Sequence, residues 1–131
     1  MYCLDTNILI DILRDNEKTV EKIKKLREIG LPIATTPLNI CELYKGAYIS
    51  KQSEENINMV EEIMESVKII SFKAGTYDFY GNSYKELTYE GKMTNEIDLI
   101  VASISASHNY ILITKNKKHF ENIPRLKLEV W

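Results

Sequence analysis

Missing from this chain is any marked excess of charge of one sign. Its 131 residues carry 17 Lys and Arg against 19 Asp and Glu, a formal net charge of −2. A basic coat that would hold nucleic acid through bulk electrostatics is therefore excluded, and any such contact has to come from local lysines or a bound cation. Cysteine is scarce: Cys3 and Cys41 are the two, each in an apolar segment with no partner at metal-ligand spacing. They read as buried free thiols suited to a reducing compartment. His108 and His119 are isolated from one another and from cysteine, which excludes a zinc pair. No apolar run approaches the ~20 residues that span a membrane. Asp5 and Asp11 interrupt the N-terminal stretch where a secretory core would lie. Repeats, low-complexity tracts and linkers are absent too. The expectation is one cytosolic domain over 1–131, with ordinary proportions of hydrophobic (44%) and charged (27%) residues.

What is present is strand–helix alternation. Tyr2 to Leu4 is a short apolar strand, followed by a helix with Ile8, Leu9, Ile12 and Leu13 on one face. Val20, Ile23, Leu26 and Ile29 recur every third residue and predict a second helix, stopped by Gly30. Pro32 to Thr35 is a strand, after which Thr36 is the N-cap and Pro37 the first residue of a helix running through Tyr48. Ile57, Val60, Ile63 and Met64 mark another helix, and Val67 to Ser71 another strand. Tyr77, Tyr80, Tyr84 and Leu87 form a helical stripe ended by Gly91. Leu99 to Ala106 is apolar almost all round and belongs at the centre. Tyr110 to Thr114 and Leu128 to Trp131 complete the strands. Strands separated by helices of this length pair in parallel through right-handed crossovers, giving a three-layer α/β/α sandwich.

Four polar positions fall at corresponding places in that alternation. Asp5 ends the first strand, Glu42 lies in the helix after the second, Asp98 opens the helix before the fourth, and Asn116 follows the fourth. In an open α/β sheet the carboxyl ends of the strands form the ligand crevice. Acids converging there repel one another, and a divalent cation with oxygen ligands, Mg²⁺ or Mn²⁺, relieves the repulsion. Any one acid taken alone is better explained as a solvated residue or a helix N-terminal charge.

The residues around these positions resemble the PIN-domain nucleases, and among them the VapC-type ribonuclease toxins. Leu4-Asp5-Thr6-Asn7-Ile8-Leu9-Ile10 is similar to their opening motif, and Ile40-Cys41-Glu42-Leu43-Tyr44-Lys45-Gly46-Ala47 to their second. Ile97-Asp98-Leu99-Ile100-Val101-Ala102 resembles the third, and Leu112 to Phe120, with Thr114 and Asn116, the fourth. Ile123-Pro124-Arg125-Leu126 and Trp131 fit the tail. The resemblance implies a PIN-like fold and a metal-dependent endoribonuclease acting on RNA, commonly a homodimer and held inactive by a cognate antitoxin. It carries Asp5, Glu42 and Asp98 over as metal ligands and Asn116 as a fourth site residue. Many members have Asp at that fourth place, and an amide supplies an oxygen without charge. Thr6, Asn7 and Thr114 would orient the ligands, with Thr114 equally suited to capping the turn from Asn116 to Phe120. Glu96 is either a supporting carboxylate or a solvent-facing acid.

Around these residues, Lys115, Lys117, Lys118 and His119 form a basic patch, flanked by Lys45 and Lys51, that suits an RNA backbone or is merely solvated. The tyrosine stripe points to core or dimer packing. Asp11 and Asp15 read as an ordinary exposed face. Two rival readings remain. A phosphatase of the haloacid-dehalogenase class needs a proton donor two residues after the first Asp, where this chain has Asn7. A catalytically silent PIN-like interaction module would not need Asp5, Glu42 and Asp98 together.

Overall fold

Side chains alternate along a strand, and in this chain both faces of the central strands are apolar. The computed structural model describes residues 1–131, with β1 (Tyr2–Leu4), β2 (Ile33–Thr35) and β4 (Ile111–Thr114) at the middle of the sheet. Cys3, Ala34 and Leu112 belong to one core and Leu4, Ile33 and Ile113 to another, so the sheet is buried on both sides. The first core is closed by Leu87 of α5 (Ala74–Glu90), Leu99, Ala102 and Ile104 of α6 (Glu96–Ser107), and Phe120 of the short α7 (Lys117–Phe120). The second is closed by Ile8 and Leu9 of α1 (Thr6–Leu13), Ile23 of α2 (Glu17–Glu28), Leu43 of α3 (Pro37–Ile49), and Val60 and Ile63 of α4 (Ser53–Ser66). Each fully buried Leu, Ile or Phe side chain contributes about 1.5–3 kcal/mol from water exclusion. The result is a three-layer α/β/α sandwich.

With β3 (Lys68–Ile69) and β5 (Leu128–Val130) at the edges, the strand order is β3-β2-β1-β4-β5. Every pairing is parallel. Tyr2 stands opposite Ile33 on one side and Ile111 on the other. The chain leaves β1 toward β2 and later returns to the far side of β1 as β4. The crevice opens at such a reversal, beyond the carboxyl ends of β1 and β4.

Helix boundaries follow their caps. Thr36 Oγ1 accepts from the Asn39 amide at the start of α3, and Gly30 and Gly91 close α2 and α5 at φ of +73° and +64°. Three expectations change. The third strand contracts from Val67–Ser71 to Lys68–Ile69, an edge with one neighbour. Cys41 is exposed rather than buried, because α3 turns Ile40, Leu43 and Ala47 inward. Val20 and Ile29 keep the helical period but are exposed, and Thr19 takes the buried place beside Ile23. No helix is long and apolar enough to cross a membrane.

Candidate functional site

Asp5 leaves β1 as the N-cap residue of α1, with 7% of its surface exposed. Its backbone amide bonds to Ile113 O of β4 (3.0 Å), which ties it to the neighbouring strand. Three side chains hold the carboxylate. Thr114 Oγ1 (2.7 Å) and Asn7 Nδ2 (3.0 Å) donate to Oδ2, and Asn39 Nδ2 (3.2 Å) donates to Oδ1. Burial nevertheless raises the carboxyl above its ordinary range, and the charge of Glu42 adds to the rise, against the hydrogen bonds from Thr114, the Thr6 backbone and Asn39.

Asn39 was not foreseen from the sequence. It is the third residue of α3, fully buried, and its Oδ1 accepts from Thr36 Oγ1 at 2.6 Å. The cap that starts the helix thus also aims the Asn39 amide at Asp5 and at Thr6 Oγ1 (3.0 Å). Thr6 in turn donates to Glu42 Oε2, which brings the acid of α3 against the start of α1. The visible signal was Thr36-Pro37-Leu38-Asn39, a capping box with Asn as its third helical residue, one turn ahead of Glu42.

Asp98 stands in the first turn of α6, where the N-terminal helix dipole favours a carboxylate. His119 Nδ1 lies 2.8 Å from Asp98 Oδ2. Burial raises the Asp98 carboxyl, the charges of Asp5 and Glu42 raise it further, and His119 opposes the shift. All three acids therefore share one electrostatic field. His119 belongs to the Asp98 pair rather than to a general basic patch.

The remaining expected residues lie as follows. Thr114 donates to Asp5 and accepts the Asn116 backbone amide at 3.0 Å, but it does not cap α7, whose N-cap is Asn116 itself with no side-chain cap bond. Asn7 bridges Asp5 and the Lys115 backbone amide (3.0 Å to its Oδ1). Asn116 is exposed at the head of α7, and its side chain makes no hydrogen bond to the acids. Glu96 is exposed in the first turn of α6, and beyond burial its charge helps raise the Tyr80 hydroxyl. Asp11 is not an ordinary exposed acid: Lys115 Nζ lies 3.0 Å from its Oδ2, and Thr19 Oγ1 donates to the same atom at 2.8 Å. Tyr77 and Tyr84 are exposed on α5 rather than packed in the core, with Tyr77 stacked on exposed Phe72.

Asp5, Glu42 and Asp98 supply hard oxygen donors suited to a small divalent cation. No three His, Cys, Asp or Glu side chains stand close enough to grip one ion together. The hydrogen bonds give a physical reason: Thr6 takes one oxygen of Glu42 and His119 one oxygen of Asp98, while like charge keeps the acids apart.

Residues 2–126 match the PIN domain family model. Ribonuclease VapC2 of Rickettsia felis is 31% identical over 131 residues, covering 100% of this chain and 98% of the relative. Ribonuclease VapC2 of Haemophilus influenzae is 28% identical over 130 residues, covering 99% and 97%. Among solved structures, VapBC2 from Rickettsia felis bound to a DNA fragment from its promoter is similar with a TM-score of 0.91 and 30% identity. That match covers 99% of this chain and 98% of the other.

Proposed function

The chain belongs to the PIN-domain family, and from that premise we propose that it is a metal-dependent endoribonuclease, the toxin of a VapBC-type toxin–antitoxin pair. The observation that carries this reading is the match of residues 2–126 to the PIN domain, on a fold where Asn39 and Thr6 link the Asp5 carboxylate to Glu42 by hydrogen bonds. A phosphatase of the haloacid-dehalogenase class is set aside, because Asn7 is committed to Asp5, Thr114 and Lys115 and has no proton to give a leaving group.

Asp5, Glu42 and Asp98 are the residues to hold Mg²⁺ or Mn²⁺. When bound, the ion supplies Lewis-acid activation of water and neutralises charge developing on the scissile phosphate. Everything else is done by the chain. Asn39, Asn7 and Thr114 fix both oxygens of Asp5 in one orientation. Thr6 holds Glu42 Oε2, and its other carboxylate oxygen stays free of protein donors. His119 does the same for Asp98 through Oδ2. Such outer hydrogen bonds set ligand direction before the substrate arrives. Asn116 lies at the rim, where its amide can meet substrate or a water.

The partners in this reading are RNA as substrate, a cognate antitoxin, and a second copy of the chain in a homodimer. The exposed Phe72, Tyr77 and Tyr84 support the dimer, since adjacent exposed aromatics mark an association surface. The place of action is the cytoplasm. Incubating purified protein with RNA in Mg²⁺ or Mn²⁺ and again in EDTA tests the whole reading. Cleavage that needs the ion and disappears in Asp98→Asn supports it, whereas a folded protein that leaves RNA intact supports the silent module.

A further inference from the structure

Between α2, the end of β4 and Trp131 lies a cleft of about 290 Å³ where Lys18, Lys22 and Lys115 meet Asp11, Thr19 and Trp131. Lys18 and Lys22 are one turn apart on α2, both exposed, and neither has an ion-pair partner. Lys22 Nζ sits 4.8 Å above the Trp131 ring, whose indole N–H donates to Glu129 Oε1 at 2.7 Å. The acid in the cleft does not neutralise this pair. Asp11 is engaged by Lys115 Nζ at 3.1 and 3.0 Å and by Thr19 Oγ1. A local excess of positive charge therefore survives in a chain whose net charge is −2.

The cleft is also joined to the acids. The Lys115 backbone amide donates to Asn7 Oδ1 at 3.0 Å, and Asn7 Nδ2 donates to Asp5 Oδ2 at 3.0 Å. Two hydrogen bonds separate a cationic recess from the first carboxylate of the cluster. A polyanion presented to three acids is repelled wherever no cation is near, so its binding energy has to come from just such a flank. Resting on the ribonuclease reading, we infer that this cleft is a phosphate-binding subsite that holds the RNA substrate beside the bond to be cut.

Binding of a fluorescein-labelled single-stranded oligoribonucleotide to Asp98→Asn protein, followed by anisotropy across a salt series, tests this without cleavage. Adding Lys18→Ala and Lys22→Ala should weaken binding about 10-fold and reduce the slope of log K against log salt by about 1.4, the value for two lost contacts on a single strand. Both lysines are exposed, so the fold is retained. Lys68→Ala with Lys85→Ala makes the same change of charge at exposed positions outside the cleft and should leave affinity and slope alone. The lone tryptophan, Trp131, gives a second readout: RNA should change its emission in the Asp98→Asn parent. Equal losses in the two double variants reduce the effect to net charge and overturn the inference. Undiminished binding by the cleft variant overturns it as well while leaving the ribonuclease reading intact. A parent that binds no RNA overturns both.

Discussion

Asp5 and Asp98 have the same side chain and share a field, yet they are held in opposite ways. Asp5 is clamped by Asn7, Asn39 and Thr114, side chains from α1, α3 and β4. Asp98 has one side-chain partner, His119, whose own side chain is 50% exposed. Burial raises both carboxyls. The difference teaches that one side of the site is set in advance and the other is left to adjust.

Removing charge on each side separates the two most sharply. Asp5→Asn and Asp98→Asn should each lower cleavage by on the order of 10²–10³-fold or more, since each deletes charge where the transition state needs it. Their stabilities should differ. Asn at position 5 turns an N–H toward buried donors, so ion-free Asp5→Asn should lose about 1–3 kcal/mol in urea melts. At position 98 the imidazole can change tautomer and accept from the new amide, so ion-free Asp98→Asn should match or slightly exceed wild type. Equal stability of the two variants would break the contrast.

The supporting residues sharpen it next. Asn39→Ala leaves buried groups of Asp5 and Thr36 without their partner and should cost about 1–3 kcal/mol, with activity falling alongside. His119→Ala should leave stability within about 0.5 kcal/mol. It should weaken Mn²⁺ binding about 10-fold by calorimetry, with partial recovery in His119→Asn, whose amide can still donate.

A smaller effect follows from pH in EDTA. A carboxyl raised in the fold contributes stability that is fully present below its unfolded value, ~3.9 for Asp, and lost as pH rises through the folded value. Asp98 should therefore penalise the ion-free wild type at pH 7, and the penalty should fade on acidification. Any thermal advantage of Asp98→Asn should shrink steadily between pH 7 and 4. An advantage that grows on acidification has the wrong sign for this account. The smallest effect belongs to Asn116→Asp, which adds charge at an exposed rim. It should slightly lower the ion-free melting temperature and slightly enlarge the rise produced by Mg²⁺. Identical responses would put residue 116 outside the site.

The adjustable side was the harder one to see in the sequence. Asp5, Glu42 and Asp98 announce themselves because strand ends and helix starts are local events, written in apolar runs and caps such as Thr36-Pro37. The sheet was legible for the same reason: Cys3-Leu4 and Leu112-Ile113 are short apolar runs with a core waiting on either face. His119 meets Asp98 across 21 residues through the packing of α7 on α6, which no local pattern encodes. Cys41 was misjudged because an apolar neighbourhood says nothing about helical phase. Asn39 was within reach, since it completes a capping box, but its aim at Asp5 depends on α3 lying beside α1.

The Thr114–Asp5 hydrogen bond spans 109 positions of the chain. A contact of such long sequence separation forms late, since the intervening loop must close before any reward is collected. During synthesis the first strand, its acid and the helix bearing Glu42 leave the ribosome well before β4 exists. Until that strand arrives, Asp5 has neither Thr114 nor the Ile113 carbonyl to fix it. An unfinished chain therefore carries the first carboxylate of the site without two of the contacts that fix it in the complete fold.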